Sequence, residues 1–147
     1  MKKFLTVSVL LIILIGNKAY SQVGVVYYSS NVVAVNMPIL KMNENSIAGE
    51  LKVFSNRQFK DVATELDLFY RFKEMKYHRF SVGLGFKTEF FTDGGNGNTF
   101  LVPVALEVFP LQNFKKLSFL FELAPEIIFD NQARLRSLIG LKYSFGK

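Results

Sequence analysis

Apolar and polar side chains alternate along most of the chain. The runs Ile47 to Phe54, Val62 to Phe72, His78 to Phe90, Phe100 to Phe109, Leu117 to Ile127 and Leu135 to Phe145 keep a period of two, the repeat of an extended strand whose successive side chains point to opposite faces. Between them lie Ser55-Asn56-Arg57, Lys73 to Lys76, Asp93 to Asn98, Pro110 to Asn113 and Asp130 to Gln132, residue types that favour tight turns. Connections this short join antiparallel neighbours, so the pattern predicts a meander of hairpins. No stretch carries an apolar stripe at 3.6-residue spacing, and no helix is expected after the N-terminal segment.

The two faces differ in kind. One reads Ile47, Leu51 and Val53, then Leu66, Leu68, Tyr70 and Phe72, then Phe80, Val82, Leu84, Phe86 and Phe90, and continues in the same way to Leu141, Tyr143 and Phe145 with no charged residue. The other holds Glu50, Lys52, Glu65, Asp67, Arg71, Arg79, Lys87, Glu89, Glu107, Glu122, Glu126, Arg134, Arg136 and Lys142, acids and bases in equal number. Small residues, Ala63, Gly83, Gly85, Ala105, Ala124 and Gly140, share that charged face. Two arrangements fit: a soluble barrel with the apolar face as its core, or a membrane barrel with that face in hydrocarbon. Aromatic residues at strand ends (Tyr70, Phe72, Phe80, Phe90, Phe100, Tyr143 and Phe145) match the interfacial girdles of a transmembrane barrel. Balanced charge among small residues suits a narrow interior in which long side chains neutralise one another. The expectation is an all-β fold, an antiparallel up-and-down transmembrane β-barrel with its charged residues paired inside.

A spanning strand takes ~9 to 11 residues, and single-chain bacterial barrels have an even number of strands with eight the usual minimum. Six strands are plain. Val23 to Leu40 must supply two more, from Val23 to Tyr28 and Val32 to Met37 around Ser29-Ser30-Asn31, unless it forms one long strand with a bulge. Closure favours eight, because lipid tolerates no open sheet edge. Pro103 and Pro125 fall inside apparent strands and are expected to mark bulges or strand ends, since proline cannot donate to the ladder.

The N-terminus reads as an address. Lys2 and Lys3, the apolar run Phe4 to Ile15 and the small-x-small ending Ala19-Tyr20-Ser21 form a secretory signal peptide over residues 1–21, leaving 22–147 as the barrel domain. The apolar run is shorter than the ~20 residues a spanning helix requires. Loss of Lys2, Lys3 and Lys18 lowers the net charge from +6 to +3, which removes the case for a nucleic-acid partner. The chain of 147 residues has no Cys, so disulfides, thiolate zinc sites and cysteine nucleophiles are excluded.

With this leader, its alternating strands and the ending Ser137 to Phe145, the chain resembles the small, about eight-stranded, bacterial outer-membrane β-barrel proteins over its whole mature length. The resemblance implies an outer-membrane location in a Gram-negative bacterium, with membrane lipid and the outer-membrane assembly machinery as partners. It also implies a terminal assembly signal matched by Leu141, Tyr143 and Phe145, although Gly146 and Lys147 follow where such families end on the aromatic. Both termini and the turns near Lys41 to Asn45, Lys73 to Lys76 and Pro110 to Lys116 would face the periplasm. Asn56 to Asp61, Asp93 to Asn98 and Asp130 to Gln132 would face outward. The expected role is non-enzymatic, structural or in envelope integrity, for a monomer.

Other chemistry fares poorly. His78, the one histidine, lies three residues from Ser81, which puts the two on opposite faces of a strand rather than on the shared face that a lipid hydrolase of this architecture uses. One His and no Cys make a poor metal site, and no metal or cofactor is expected. Glu122 and Glu126 stand ~13 Å apart along a strand, too far for a glycosidase pair. Asp93 to Asn98 lacks the residues that complete a phosphate or calcium loop. The alternative function is a periplasmic or secreted lipocalin-like barrel binding a hydrophobic small molecule, and a membrane-embedded hydrolase or acyltransferase acting through His78 or Ser81 is a third possibility.

Overall fold

The computed structural model describes residues 23–55, 62–89, 98–128 and 132–145. The leader expected at 1–21 lies outside them, as do the outward connections at Asn56 to Asp61, Asp93 to Asn98 and Asp130 to Gln132 apart from Asn98 and Gln132. The elements are strands: β1 (Val23–Tyr28), β2 (Val32–Met42), β3 (Asn45–Ser55), β4 (Val62–Arg71), β5 (His78–Glu89), β6 (Thr99–Leu101), β7 (Val104–Val108), β8 (Leu117–Ile128) and β9 (Gln132–Phe145). Apart from β6 and β7, which do not pair with each other, each pairs antiparallel with its chain neighbours, and β9 returns to β1 through Val23↔Phe145 to Tyr28↔Gly140. The sheet is closed. β6 and β7 lie end to end between β5 and β8, in one register, so nine segments fill eight places in the ring.

Two prolines cause that interruption. In an antiparallel ladder the N–H and C=O of a residue point to the same neighbour. Val102 N–H donates to Pro125 O at 3.1 Å and Gly83 N–H donates to Pro103 O at 2.8 Å, but neither proline returns a donor. The strand loses a ladder bond on each side within two residues, so Pro103 marks a break, as expected. Pro125 does not: opposite Leu135 it remains inside β8, because its missing donor faces the existing break at Val102.

Val23 to Leu40 divides into two strands, the turn between them held by Ser30 and Asn31 with φ of 71° and 58°. A register shift between Pro38 and Leu40 then places Ile39 and Leu40 both outward at the end of β2. Asn43, φ 49°, makes the next turn, an αL position that Asn tolerates better than most residues.

The ring is staggered. A row of directly paired residues runs Val26, Ala34, Lys52, Glu65, Lys87, Thr99, Ile128, Gln132, yet Val26 itself pairs with Lys142, ten residues further along β9. That offset corresponds to strands tilted ~35–45° to the barrel axis. One end carries both chain ends and the connections after β2, β4 and β7; the other carries those after β1, β3, β5 and β8.

Alternation places the apolar face outside. Leu66 and Leu84 are 64% and 56% exposed, whereas their neighbours Glu65, Asp67 and Gly85 are buried. The inverted, lipocalin-like orientation is therefore overturned: glycines and alanines share a face with long charged side chains, and the concave side of a narrow barrel gives both the room they need. Outward aromatics cluster at the end bearing the termini. Tyr70 and Phe72 meet edge-on at 5.1 Å, Phe72 and Phe80 lie 5.7 Å apart, and Tyr143 and Phe145 5.0 Å. Phe100 is outward near the other end, and Phe90 lies outside the described residues. Inside, one sector is apolar, with Val26, Tyr28, Val32, Ala34, Leu120 and Leu138 packed beside Phe54.

Candidate functional site

The lumen is the site that the fold builds. Strand parity aims Glu50 and Lys52 from β3, Glu65 and Asp67 from β4, Glu122 and Glu126 from β8, and Arg134 and Arg136 from β9 toward the barrel axis. Lys52 is wholly buried, its Nζ 2.9 Å from Glu65 Oε1, 2.5 Å from Asp67 Oδ2, 2.8 Å from Glu122 Oε2 and 3.7 Å from Glu50 Oε1. β3 and β8 stand four places apart in a ring of eight, so Lys52–Glu122 spans the diameter. Arg136 crosses on another diameter, from β9 to Glu65 on β4 at 2.8 Å, and also meets Glu122 at 2.9 Å and Glu126 at 3.1 Å. Arg134 pairs with Glu126 at the rim. The Lys52 ammonium also lies 5.8 Å from the Tyr28 ring and 5.6 Å from that of Phe69, so aromatic faces cap it where carboxylates do not.

A second cluster lies toward the termini. Glu107 on β7 accepts from Arg79 Nη2 at 2.5 Å and from Ser118 Oγ at 2.7 Å, and pairs with Lys142 at 3.0 Å. Glu74, in the connection after β4, bonds Arg79 at 3.4 Å and Lys115 at 2.6 Å. Lys87 and Glu89 form a separate, looser pair at 3.8 Å, with Lys87 4.9 Å from the Phe54 ring.

The single network expected from the sequence is thus divided, and Arg71 makes no direct ion pair with either part among the described residues. Its side chain donates to Asn36 Oδ1, and Asn36 Nδ2 donates in turn to Glu50 Oε2 at 2.7 Å, as does Tyr28 Oη to Glu50 Oε1 at 2.8 Å. Tyr28, Asn36, Ser118, Glu74 and Lys115 escaped the sequence reading. The first two sit in β1 and in β2 before its bulge, where no charged residue marks the inward face; Glu74 and Lys115 sit in connections, where parity says nothing.

The middle of the lumen is filled. Between Asn36, Glu50, Arg71, Glu107, Leu120 and Lys142 only ~10 Å³ remains, room for about one water. At the end bearing the termini the interior widens into two cavities of about 470 and 280 Å³ that share Glu74 and Arg79. His78 is exposed on the outer face and Ser81 is buried on the inner one, so the two do not meet. Among the described residues, no group of three or more His, Asp or Glu side chains is placed to hold a metal ion.

A closed ring of eight antiparallel strands, apolar outside and charged within, has a counterpart among solved structures. The fold is that of an outer-membrane β-barrel. The chain is similar to the Yersinia pestis outer membrane protein Ail, whose backbone structure was determined in a phospholipid bilayer nanodisc, with a TM-score of 0.53 and 14% identity over 87% of this chain and 100% of Ail. No protein-family model and no curated protein sequence matches this chain. The likeness to Ail is one of architecture: the same ring encloses the lumen described above.

Proposed function

We propose that the protein is a non-enzymatic outer-membrane β-barrel of a Gram-negative bacterium, exported by its N-terminal segment, with a structural role in the envelope and a lumen closed by paired charges. The observation that carries this reading is the opposed chemistry of the two faces. Outward side chains such as Leu66, Leu68, Leu84, Phe86, Phe121 and Ile139 are exposed, which in water would be a contiguous apolar surface far larger than a soluble monomer shows. Inward, the crossing contacts Lys52–Glu122 and Arg136–Glu65 obstruct the axis. An eight-stranded barrel is just wide enough for its side chains, so diffusion through it is not its work.

Membrane lipid is the partner of the outer face. Leu141, Tyr143 and Phe145 end β9 on that face, next to Val23 and Val25 of β1, and serve as the segment read by the outer-membrane assembly machinery. The likeness to Ail supports the membrane setting through fold. The chain acts as a monomer without a cofactor.

The test is a pair of single-cysteine variants in vesicles, Leu84→Cys carrying a fluorophore and Ser81→Cys as its inward control, together with gel migration before and after boiling. Quenching by bromolipid at position 84 alone, with heat-modifiable migration, is the expected result. A barrel that remains dissolved without detergent, or quenching at both positions alike, would overturn the reading.

A further inference from the structure

Charge is not spread evenly along the lumen. The cluster around Lys52 sets five carboxylates (Glu50, Glu65, Asp67, Glu122 and Glu126) against Lys52, Arg136 and Arg134. Toward the termini the balance reverses: Arg71, Arg79 and Lys142 surround Glu107, with Glu74 shared at the mouth. Arg71 is the odd member. It is only 6% exposed, it enters no ion pair among the described residues, and its one side-chain hydrogen bond goes to a neutral amide, that of Asn36. A guanidinium has five N–H donors, and burying one with no carboxylate in direct contact is costly.

Arg71 lines the 470 Å³ cavity at the mouth, with Lys41, Lys73, Arg79, Glu44 and Glu74. Lys73 is matched by Glu44 at 2.6 Å and Arg79 by Glu74 and Glu107, which leaves Arg71 and Lys41 as the cations with no carboxylate at ion-pair distance among the described residues; Glu50 and Glu107 face Arg71 only across the narrow gap beyond it. The cavity falls in the ~300–1,000 Å³ range of small-molecule sites. It is also blind: beyond Arg71 the lumen narrows to ~10 Å³. A solute entering from this end stops where the unmatched guanidinium is held by Asn36.

We propose that this mouth is a binding site for a soluble oxyanion of the phosphate or phosphate-monoester class, with Arg71 its principal donor and Lys41 at its entrance. Arg71 presents a planar fork suited to two oxygens of such an anion, and Asn36 fixes the orientation of that fork. A free solute is preferred to a lipid headgroup because the cavity is lined mostly by inward positions, Arg71, Arg79 and Ser46, and by the polar connections after β2 and β4. The inference rests on the lumen alone and holds whatever covers the outer face.

The test uses the barrel refolded in a maltoside detergent, which contributes no phosphate. Inorganic phosphate is titrated in, and binding is read from 31P line broadening and its reversal by sulfate. Saturable binding is expected, weakened about tenfold or more by Arg71→Gln, the loss of a charged hydrogen-bond donor. Arg71→Lys keeps the charge but loses the fork and should fall between. Lys76→Gln, outside the cavity and stacked on Tyr77, should leave binding unchanged. Should Arg71→Gln fail to migrate as a folded barrel, Lys41→Gln in the entrance must lower affinity severalfold for the assignment to stand. No saturable broadening, or equal binding by Arg71→Lys and wild type together with Lys41→Gln, would overturn the site. Binding only of an anionic phospholipid in nanodiscs, uncompeted by phosphate, would overturn the soluble-ligand assignment.

Discussion

Arg136 on β9 and Glu65 on β4 meet 2.8 Å apart across the full width of the lumen, although 71 residues separate them in the chain. Arg136 also serves Glu122 and Glu126, so it holds together three carboxylates that come from two strands. Replacing it by methionine leaves all three in a water-poor interior and should cost about 3–5 kcal/mol in urea unfolding of the detergent-refolded barrel. Adding Glu65→Gln should recover part of that loss, because the repulsion then involves one carboxylate fewer.

Lys52 stands opposite and plugs the axis. Lys52→Ala removes both its bulk and its bridge to Glu122, leaving a ring of acids around an open gap. In planar bilayers the wild-type barrel should pass little current, and this variant should give cation-selective conductance. Equal currents from the two proteins would show that the plug lies elsewhere.

Gly83 is set by space. A Cβ there would lie 2.8 Å from the Leu68 carbonyl oxygen and 2.9 Å from the Phe69 ring, and a backbone oxygen cannot turn aside. Gly83→Ala should destabilise the barrel by about 1–3 kcal/mol. At Gly49 the nearest atom is the tip of Ile39, at 3.2 Å, which can rotate. Gly49→Ala should therefore cost less, and thermal unfolding of the two variants side by side checks the order.

On the outer face, Leu68 sits mid-strand between Gly49 and Leu84. If hydrocarbon covers it, Leu68→Arg should lower stability by about 2–4 kcal/mol in lipid bilayers, the range found for basic residues near a bilayer midplane. A neutral effect on refolding into vesicles would count against a lipid-facing surface at this position.

Parity made the charged face legible because each of β3, β4, β5, β8 and β9 carries at least two charges in alternate positions, and a single polar marker fixes the orientation of a whole strand. β1 gave no such marker: Val23, Val25 and Tyr27 are as apolar as Val26 and Tyr28, so the sequence did not reveal that Tyr28 turns inward to Glu50. The partners across the lumen were also hidden. Which strands stand opposite depends on closure and stagger, properties of the ring that no local pattern encodes, so Lys52–Glu122 and the isolation of Arg71 emerge only in three dimensions. Pro103 and Pro125 look alike in the sequence, yet one breaks its strand and the other does not. The difference lies in which neighbour each missing N–H would have faced.

The ten-residue stagger also limits how the strands can change length. Because ten is even, inward positions on β9 meet inward positions on β1, and the seam joins like with like. Removing one residue from the middle of β3, β4, β5, β8 or β9 would leave that strand with charges in hydrocarbon on one side of the deletion, or force a bulge to restore the phase, as at Pro38. Connections such as Asn43-Glu44 carry no such constraint, so insertions and deletions that spare the wall belong in the turns, or in multiples of two within the strands.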